Sequence, residues 1–427
     1  MTKKPMRILM MTNTYAPVIG GIEASIHSFC EQFRKMGHKV VIVAPTFDGM
    51  KENEEDIVRL PAIQNFLKED VSLNLPIPLF LSNFTKKFQP DIVHSHHFFW
   101  VGDVALRLAR QQHIPLVFTH HIMLEQYAEL FPIHNEGITR FVLKLATGYA
   151  NLTDCVIAPS EAVRAILERD GVRKPMHIIP TGVDVKRFAK GDAREFRRSW
   201  KIPQDAFVLG FVGRLNPEKN LDFLAKAACR FIKKNRKAHW LMVGEGSLKE
   251  AIQDLFKSSG VGERLHCPGV LQGQDLINGY HAMDVFIFSS FSETQGIVLS
   301  ESMAAGKPVV AVNAPVVRDV IKDGKNGRLV AHEDEEEFAQ ALSWVAKLSE
   351  AKLKKIKQAA IATAAQFSIE HCSEQLLDVY QNLKLNNKAG EKNGRLWKSV
   401  KDSLKVEKDL LLNAIHATEA ALRKNKR

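Results

Sequence analysis

The chain has 427 residues, 45% of them hydrophobic and 25% charged, which is the composition of an ordinary globular protein with room for two or three folding units. Wholesale disorder, collagenous repeats and low complexity are excluded, and no apolar run approaches the length of a membrane span; the most hydrophobic stretch, Leu73 to Phe84, is broken by Pro76 and Pro78. The net charge of +11 is uneven: residues 386–427 alone carry +6, so the body is close to neutral and lacks the basic face of a duplex binder. Five scattered cysteines without a CxxC, and an N-terminus that turns polar at Thr12 and Asn13, predict a cytoplasmic protein without a disulfide framework or zinc site.

Apolar runs and amphipathic stretches alternate along the chain. Strands are predicted at Arg7–Met11, Lys39–Ala44, Ile92–Ser95, Leu116–Thr119, Cys155–Ala158 and Ile178–Ile179, with helices such as Ile22–Met36, stopped by Gly37, and Val101–Gln111 between them. A polar stretch at Lys190–Lys201 interrupts the series. It restarts at Phe207–Val212 and continues through His239–Val243, Leu265–His266, Val285–Ser289, Val309–Val312 and Gly327–Val330. The class is α/β: two Rossmann-like halves, residues 1–188 and 189–368, with the ligand at the carboxyl ends of the strands in a central cleft. A closing helix (369–385) and a basic amphipathic tail (386–427) follow. After the linker-like Lys388–Gly394, the residues Leu396, Val400, Leu404, Leu411 and Ile415 place an apolar stripe, with Trp397, on a basic helix. That stripe suits an anionic membrane surface or another subunit.

Four stretches fall where strands end. Gly20 and Gly21 precede a helix N-terminus, a place for a phosphate. Arg214 and Lys219 flank a Pro-containing turn after Phe207–Val212, and two fixed cations can meet the charge that develops on a departing diphosphate. Glu293 and Glu301 border the run Thr294-Gln295-Gly296-Ile297-Val298; Glu301 suits a ribose diol, Glu293 the hydroxyls of a sugar, and the helix start at Gly296–Val298 a phosphate. The histidines His94, His96, His97, His120 and His121 crowd two strand ends without a carboxylate or thiolate at metal-ligand spacing, so they read as lining a site and no metal is predicted.

Together these stretches resemble glycosyltransferase family 4, the retaining enzymes of GT-B fold, over about residues 6–384. The resemblance implies Gly20 and Gly21 beside the diphosphate and donor sugar, Arg214 and Lys219 on the diphosphate, Glu293 on the sugar, Glu301 on the ribose, and His121 approaching the transferred sugar. It implies no bound cofactor and no obligatory metal. The runs His94-Ser-His-His-Phe-Phe-Trp-Val-Gly, Phe118-Thr-His-His-Ile-Met-Leu-Glu-Gln-Tyr-Ala and Glu293-Thr-Gln-Gly are similar to the diacylglycerol glucosyltransferase branch, which uses UDP-glucose. This chain departs from that branch at Ile122 and around Tyr127–Pro132. The expectation is hexose transfer from a nucleotide sugar to a lipid such as diacylglycerol, at the inner face of the cell membrane. A soluble acceptor and a non-catalytic membrane scaffold on the same fold are the alternatives. A dinucleotide oxidoreductase lacks its GxGxxG, an epimerase would need no acceptor, and a pyridoxal-phosphate phosphorylase would need a cofactor lysine that is not evident.

Overall fold

The computed structural model describes residues 4–18, 20–47, 50, 54–67, 71–74, 78–121, 136–389 and 395–422. They fall into two compact units.

In the first unit the strands are β1 (Arg7–Met11), β2 (Lys39–Pro45), β3 (Ile57–Leu60), β4 (Ala62–Leu67), β5 (Val71–Asn74), β6 (Ile92–Ser95), β7 (Leu116–Thr119), β8 (Cys155–Ala158) and β9 (Met176–Ile178). Seven of them form one sheet in the order β3-β2-β1-β6-β7-β8-β9, and β4 and β5 form an antiparallel pair. Every pairing in the large sheet is parallel. Ile8 to Met11, Val40 to Val43 and Cys155 to Ala158 are apolar throughout and buried, because helices cover both faces of such a sheet. The strand order reverses between β1 and β6, which opens a crevice at their carboxyl ends.

The second unit repeats the plan with β10 (Phe207–Val212), β11 (Ala238–Val243), β12 (Leu265–Gly269), β13 (Val285–Phe288), β14 (Val309–Val312) and β15 (Gly327–Val330). The order is β12-β11-β10-β13-β14-β15, all parallel, reversing between β10 and β13. Two apolar layers sandwich the sheet. One centres on Trp240, Phe231 and Phe338, the other on Tyr280, Phe286 and Phe288.

The division of the chain differs from the expected one. The first unit comprises Met1–Gly182 and Cys372–Arg427, the second Val183–His371. Residues 183–188 therefore belong with the second unit: Val183 exchanges backbone hydrogen bonds with Phe367 and Ile369. Neither the closing helix nor the tail forms a separate segment. The helix Ile369–Ala389 runs past 385 into the expected linker, of which residues 390–394 lie outside the described ones. Tyr380, on that helix, is buried against Phe33, with ring centroids 6.0 Å apart.

The tail helix, Arg395–Leu422, packs on the helices Glu136–Leu152 and Val101–Gln112. Arg107 donates to both carboxylate oxygens of Glu407 at 2.6 and 3.0 Å. Asn413 donates to the Leu145 carbonyl at 3.0 Å, and Arg140 to that of Ala420 at 3.0 Å. Val406, Asn413 and Ala417 are buried in this contact, whereas Leu404, Leu411 and Ile415 face outward. The side chains of Leu396, Trp397 and Val400 lie outside the described residues. Among the described residues no helix is long and apolar enough to cross a membrane.

Candidate functional site

In the second unit, the loops that leave β10 and β13 at the reversal point, and the one that leaves the neighbouring β11, hold one another. The chain leaves β10 through Gly213, whose φ of +158° lies where glycine is favoured. Gly244, after β11, has φ +137°, and a Cβ on it would sit 1.9 Å from the Gly213 carbonyl oxygen, so the two backbones touch. Leu215 then donates to the Glu245 carbonyl and Leu248 to that of Leu215, both at 2.8 Å, and Ser247 donates to Asn216 Oδ1 at 3.0 Å. The turn Pro217–Lys219 is one 3₁₀ turn. From the loop after β13, the Ser289 hydroxyl reaches the Lys219 and Asn220 carbonyls at 2.9 and 3.0 Å, and the Ser292 hydroxyl reaches that of Glu218 at 3.0 Å.

This framework brings Lys219 and Glu293 together: Nζ donates to Oε1 at 2.7 Å, with both side chains 16% exposed. Arg214, on the same loop, is 68% exposed and pairs with Glu218 at 3.2 Å. Thr294 and Gln295 continue the loop to Gly296 (φ +68°), which caps the helix Ile297–Ala304. The amides of Ile297 and Val298 are therefore in the first turn. Glu301 lies one turn further on. It is half-buried and accepts a 2.7 Å hydrogen bond from the Tyr280 hydroxyl, on the helix Gly273–Ala282. Burial raises the Glu301 carboxyl above its ordinary value, and the Tyr280 bond pulls it part of the way back. Burial, together with the Glu301 charge, holds Tyr280 protonated.

In the first unit, the loops after β1, β6 and β7 meet. The Asn13 amide donates to His97 Nδ1 at 3.1 Å, which leaves the His97 proton on Nε2, and Asn13 Oδ1 accepts from Val101 at 3.2 Å. His94 lies between Thr119 Oγ1 (2.6 Å) and Tyr380 Oη (2.5 Å) and stacks on His96, with centroids 4.3 Å apart. His96 Nδ1 is 2.8 Å from His121 Nε2, so one ring donates and the other accepts. Burial lowers His94 and His97 to about 3; His96 and His121 are also lowered, by burial first and then by the neighbouring imidazoles. All four are neutral at pH 7. Among the described residues no group of three or more His, Cys, Asp or Glu is placed to hold a metal ion.

Gly20 and Gly21 form the start of the helix Gly21–Lys35, as N-cap and first residue. Gly20 is extended, a conformation open to any residue, but a Cβ on it would fall 2.6 Å from Glu23 Oε2, so the Glu23 side chain would have to move; a Cβ on Gly21 would meet nothing within 4 Å. The stretch from Ile122 to Pro132 lies outside the described residues. Sequence reasoning missed Tyr280, Tyr380, Thr119 and Asn13; a buried hydroxyl or amide needs a partner, but no local pattern names which.

The model of Glycosyltransferase Family 4 matches residues 19–187, and that of Glycosyl transferases group 1 matches residues 192–363. A D-inositol 3-phosphate glycosyltransferase of Saccharomonospora viridis is 30% identical over 303 residues, covering 68% of this chain and 70% of that one. The chain belongs to glycosyltransferase family 4. An alpha-monoglucosyldiacylglycerol synthase of Streptococcus pneumoniae is 28% identical to this family 4 enzyme over 330 residues, 76% of the chain and 75% of its relative. The crystal structure of Anabaena Alr3699/HepE in complex with UDP superposes with a TM-score of 0.72 at 21% identity, covering 88% of this chain and all of that one. That superposition, with two parallel sheets of seven and six strands, makes the fold GT-B.

Proposed function

We propose that this glycosyltransferase moves a hexose, glucose from UDP-glucose, with retention of configuration, to a lipid acceptor such as diacylglycerol at a membrane surface. The observation that carries the donor half is the meeting of Lys219 and Glu293 at 2.7 Å on the loops after β10 and β13, where the strand order reverses. Lys219 and Arg214 take the diphosphate and stabilise the charge it gains as it leaves. Glu293 holds hydroxyls of the sugar, Glu301 the ribose diol, and the amides of Gly296, Ile297 and Val298 a phosphate. No carboxylate is assigned as a nucleophile, so the acceptor attacks from the face of the departing phosphate, which takes up its proton. Neutral His121, steadied by His96, donates or accepts a hydrogen bond at the sugar without adding charge. No bound metal enters this scheme. Gly20 and Gly21 leave room beside the donor.

The acceptor rests on the S. pneumoniae relative and on the runs around His94 and Phe118. The surplus cations of the tail, before residue 404 and after residue 422, favour an anionic surface on the cytoplasmic side. The test is incubation with a panel of UDP- and GDP-sugars, with and without diacylglycerol vesicles, and identification of the product by mass. A glucosyl-diacylglycerol formed from UDP-glucose is the expected result. Transfer only to a soluble acceptor, or hydrolysis alone, refutes the lipid assignment.

A further inference from the structure

The tail helix Arg395–Leu422 presents two seams, and only one is filled. Its inner seam, Val406, Leu410, Asn413 and Ala417, advances by four, three and four residues and lies on the helix Glu136–Leu152 in antiparallel sense: Arg140 meets Ala420 and Leu145 meets Asn413. Two residues along a helix turn about 200° around its axis, so Leu404 is opposite Val406. From Leu404 an outer seam runs through Lys408, Leu411, Ile415, Thr418 and Leu422, with the same alternation of four and three. That is the 3.5-residue repeat of a helix-pairing surface. Leu404, Leu411, Ile415 and Leu422 on it are 67%, 62%, 42% and 77% exposed.

We infer that this outer seam pairs antiparallel with the same seam of a second copy of the chain. A two-fold axis near residue 413 sets Leu404 against Leu422 of the partner, Lys408 against Thr418, and Leu411 against Ile415. The flanking positions agree. Lys405 falls beside Glu419 of the other copy, twice by symmetry, and Leu412 beside its own counterpart, so charges and apolar groups both match. A lipid surface suits this face less well. Between residues 404 and 422 two lysines stand against Glu407, Asp409 and Glu419, and the cations that would draw an anionic bilayer lie outside that span.

Light scattering on the full-length chain during size exclusion, at tens of micromolar, tests the pairing; the expected mass is twice 48.0 kDa. Leu411→Glu buries a charge in two central layers and raises the dimer dissociation constant about a hundredfold or more, giving the single-chain mass. Lys405→Glu opposes Glu419 of the other copy and weakens the dimer, and adding Glu419→Lys restores it. Thermal unfolding of each variant confirms that the inner seam is intact. A wild-type chain of single mass, or a dimer indifferent to Leu411→Glu, overturns the inference. So does a monomer whose flotation with phosphatidylglycerol–diacylglycerol vesicles is abolished by Leu411→Glu, which would assign the stripe to lipid.

Discussion

Lys219 and Glu293 neutralise each other within the donor loops, and this pairing sets what each mutation does. Lys219→Ala removes the cation proposed to meet the leaving diphosphate and leaves Glu293 without its Lys219 partner. Turnover is expected to fall about 10²- to 10³-fold, as on removal of one oxyanion donor. Initial rates at saturating donor check this, and a rate near wild type removes the role. Tyr280 acts through Glu301. Its hydrogen bond is the interaction that favours the charged carboxylate, so Tyr280→Phe raises the Glu301 pKa further, and the ribose contact proposed for Glu301 is expected to be lost at a higher pH as acidity increases. The expected result is a donor KM raised about three- to tenfold at mildly acid pH with kcat little changed. A pH profile of kcat/KM whose acid limb does not move would show that Tyr280 is only packing. Lys219, Glu293 and Glu301 could be named as candidates because acid and base residues lie at strand ends framed by glycines, and the structure brings Lys219 and Glu293 together. Tyr280 was not, since its only signal is a hydroxyl that becomes buried when the helix Gly273–Ala282 docks.

At the scale of elements, the central strands of both large sheets were readable because parallel strands covered on both faces are apolar without alternation, as in Val309–Val312, whereas the exposed edge strand β9 (Met176–Ile178) overlaps the expected Ile178–Ile179 by one residue. β3 escaped notice. It is an edge strand of four residues whose Arg59 points to Glu54 at 2.6 Å, a polar partner that breaks the apolar run. Only one face of the tail helix was legible. Its visible stripe of leucines is the outward face, and the face that packs mixes Val406 and Leu410 with the polar Asn413 and the small Ala417; Asn413 lies so close to Gly148 that a Cβ there would fall 1.7 Å from Asn413 Oδ1. The contact of Gly213 with Gly244 was equally silent, since two loops distant in sequence meet only once the sheet has formed. Gly244→Ala forces those loops apart and imposes an unfavourable φ, at a cost of about 2–4 kcal/mol. A lowered urea midpoint checks this, together with weaker donor binding; unchanged values for both would deny that the close approach shapes the site.

For the whole molecule, four neutral histidines, three buried and His121 half-buried, tie stability to pH. Their folded pKa values lie below the ordinary 6.5, so the unfolded chain binds protons more readily. Their contribution is complete above about pH 6.5 and declines as pH falls from there towards 3. Thermal midpoints measured at intervals from pH 7.5 to 4.5 should fall, and His94→Gln should make the fall shallower. An unaltered slope in that variant would count against the histidines.

Cys372–Arg427 belongs to the first unit although Val183–His371 intervenes. During synthesis, then, the ribosome completes the second unit while the first still lacks Tyr380 over His94 and the helix that covers Gly148. A nascent chain from which residue 371 has just emerged would carry one finished half and one half with His94 lacking its Tyr380 cover, so that half is the one in need of chaperone protection.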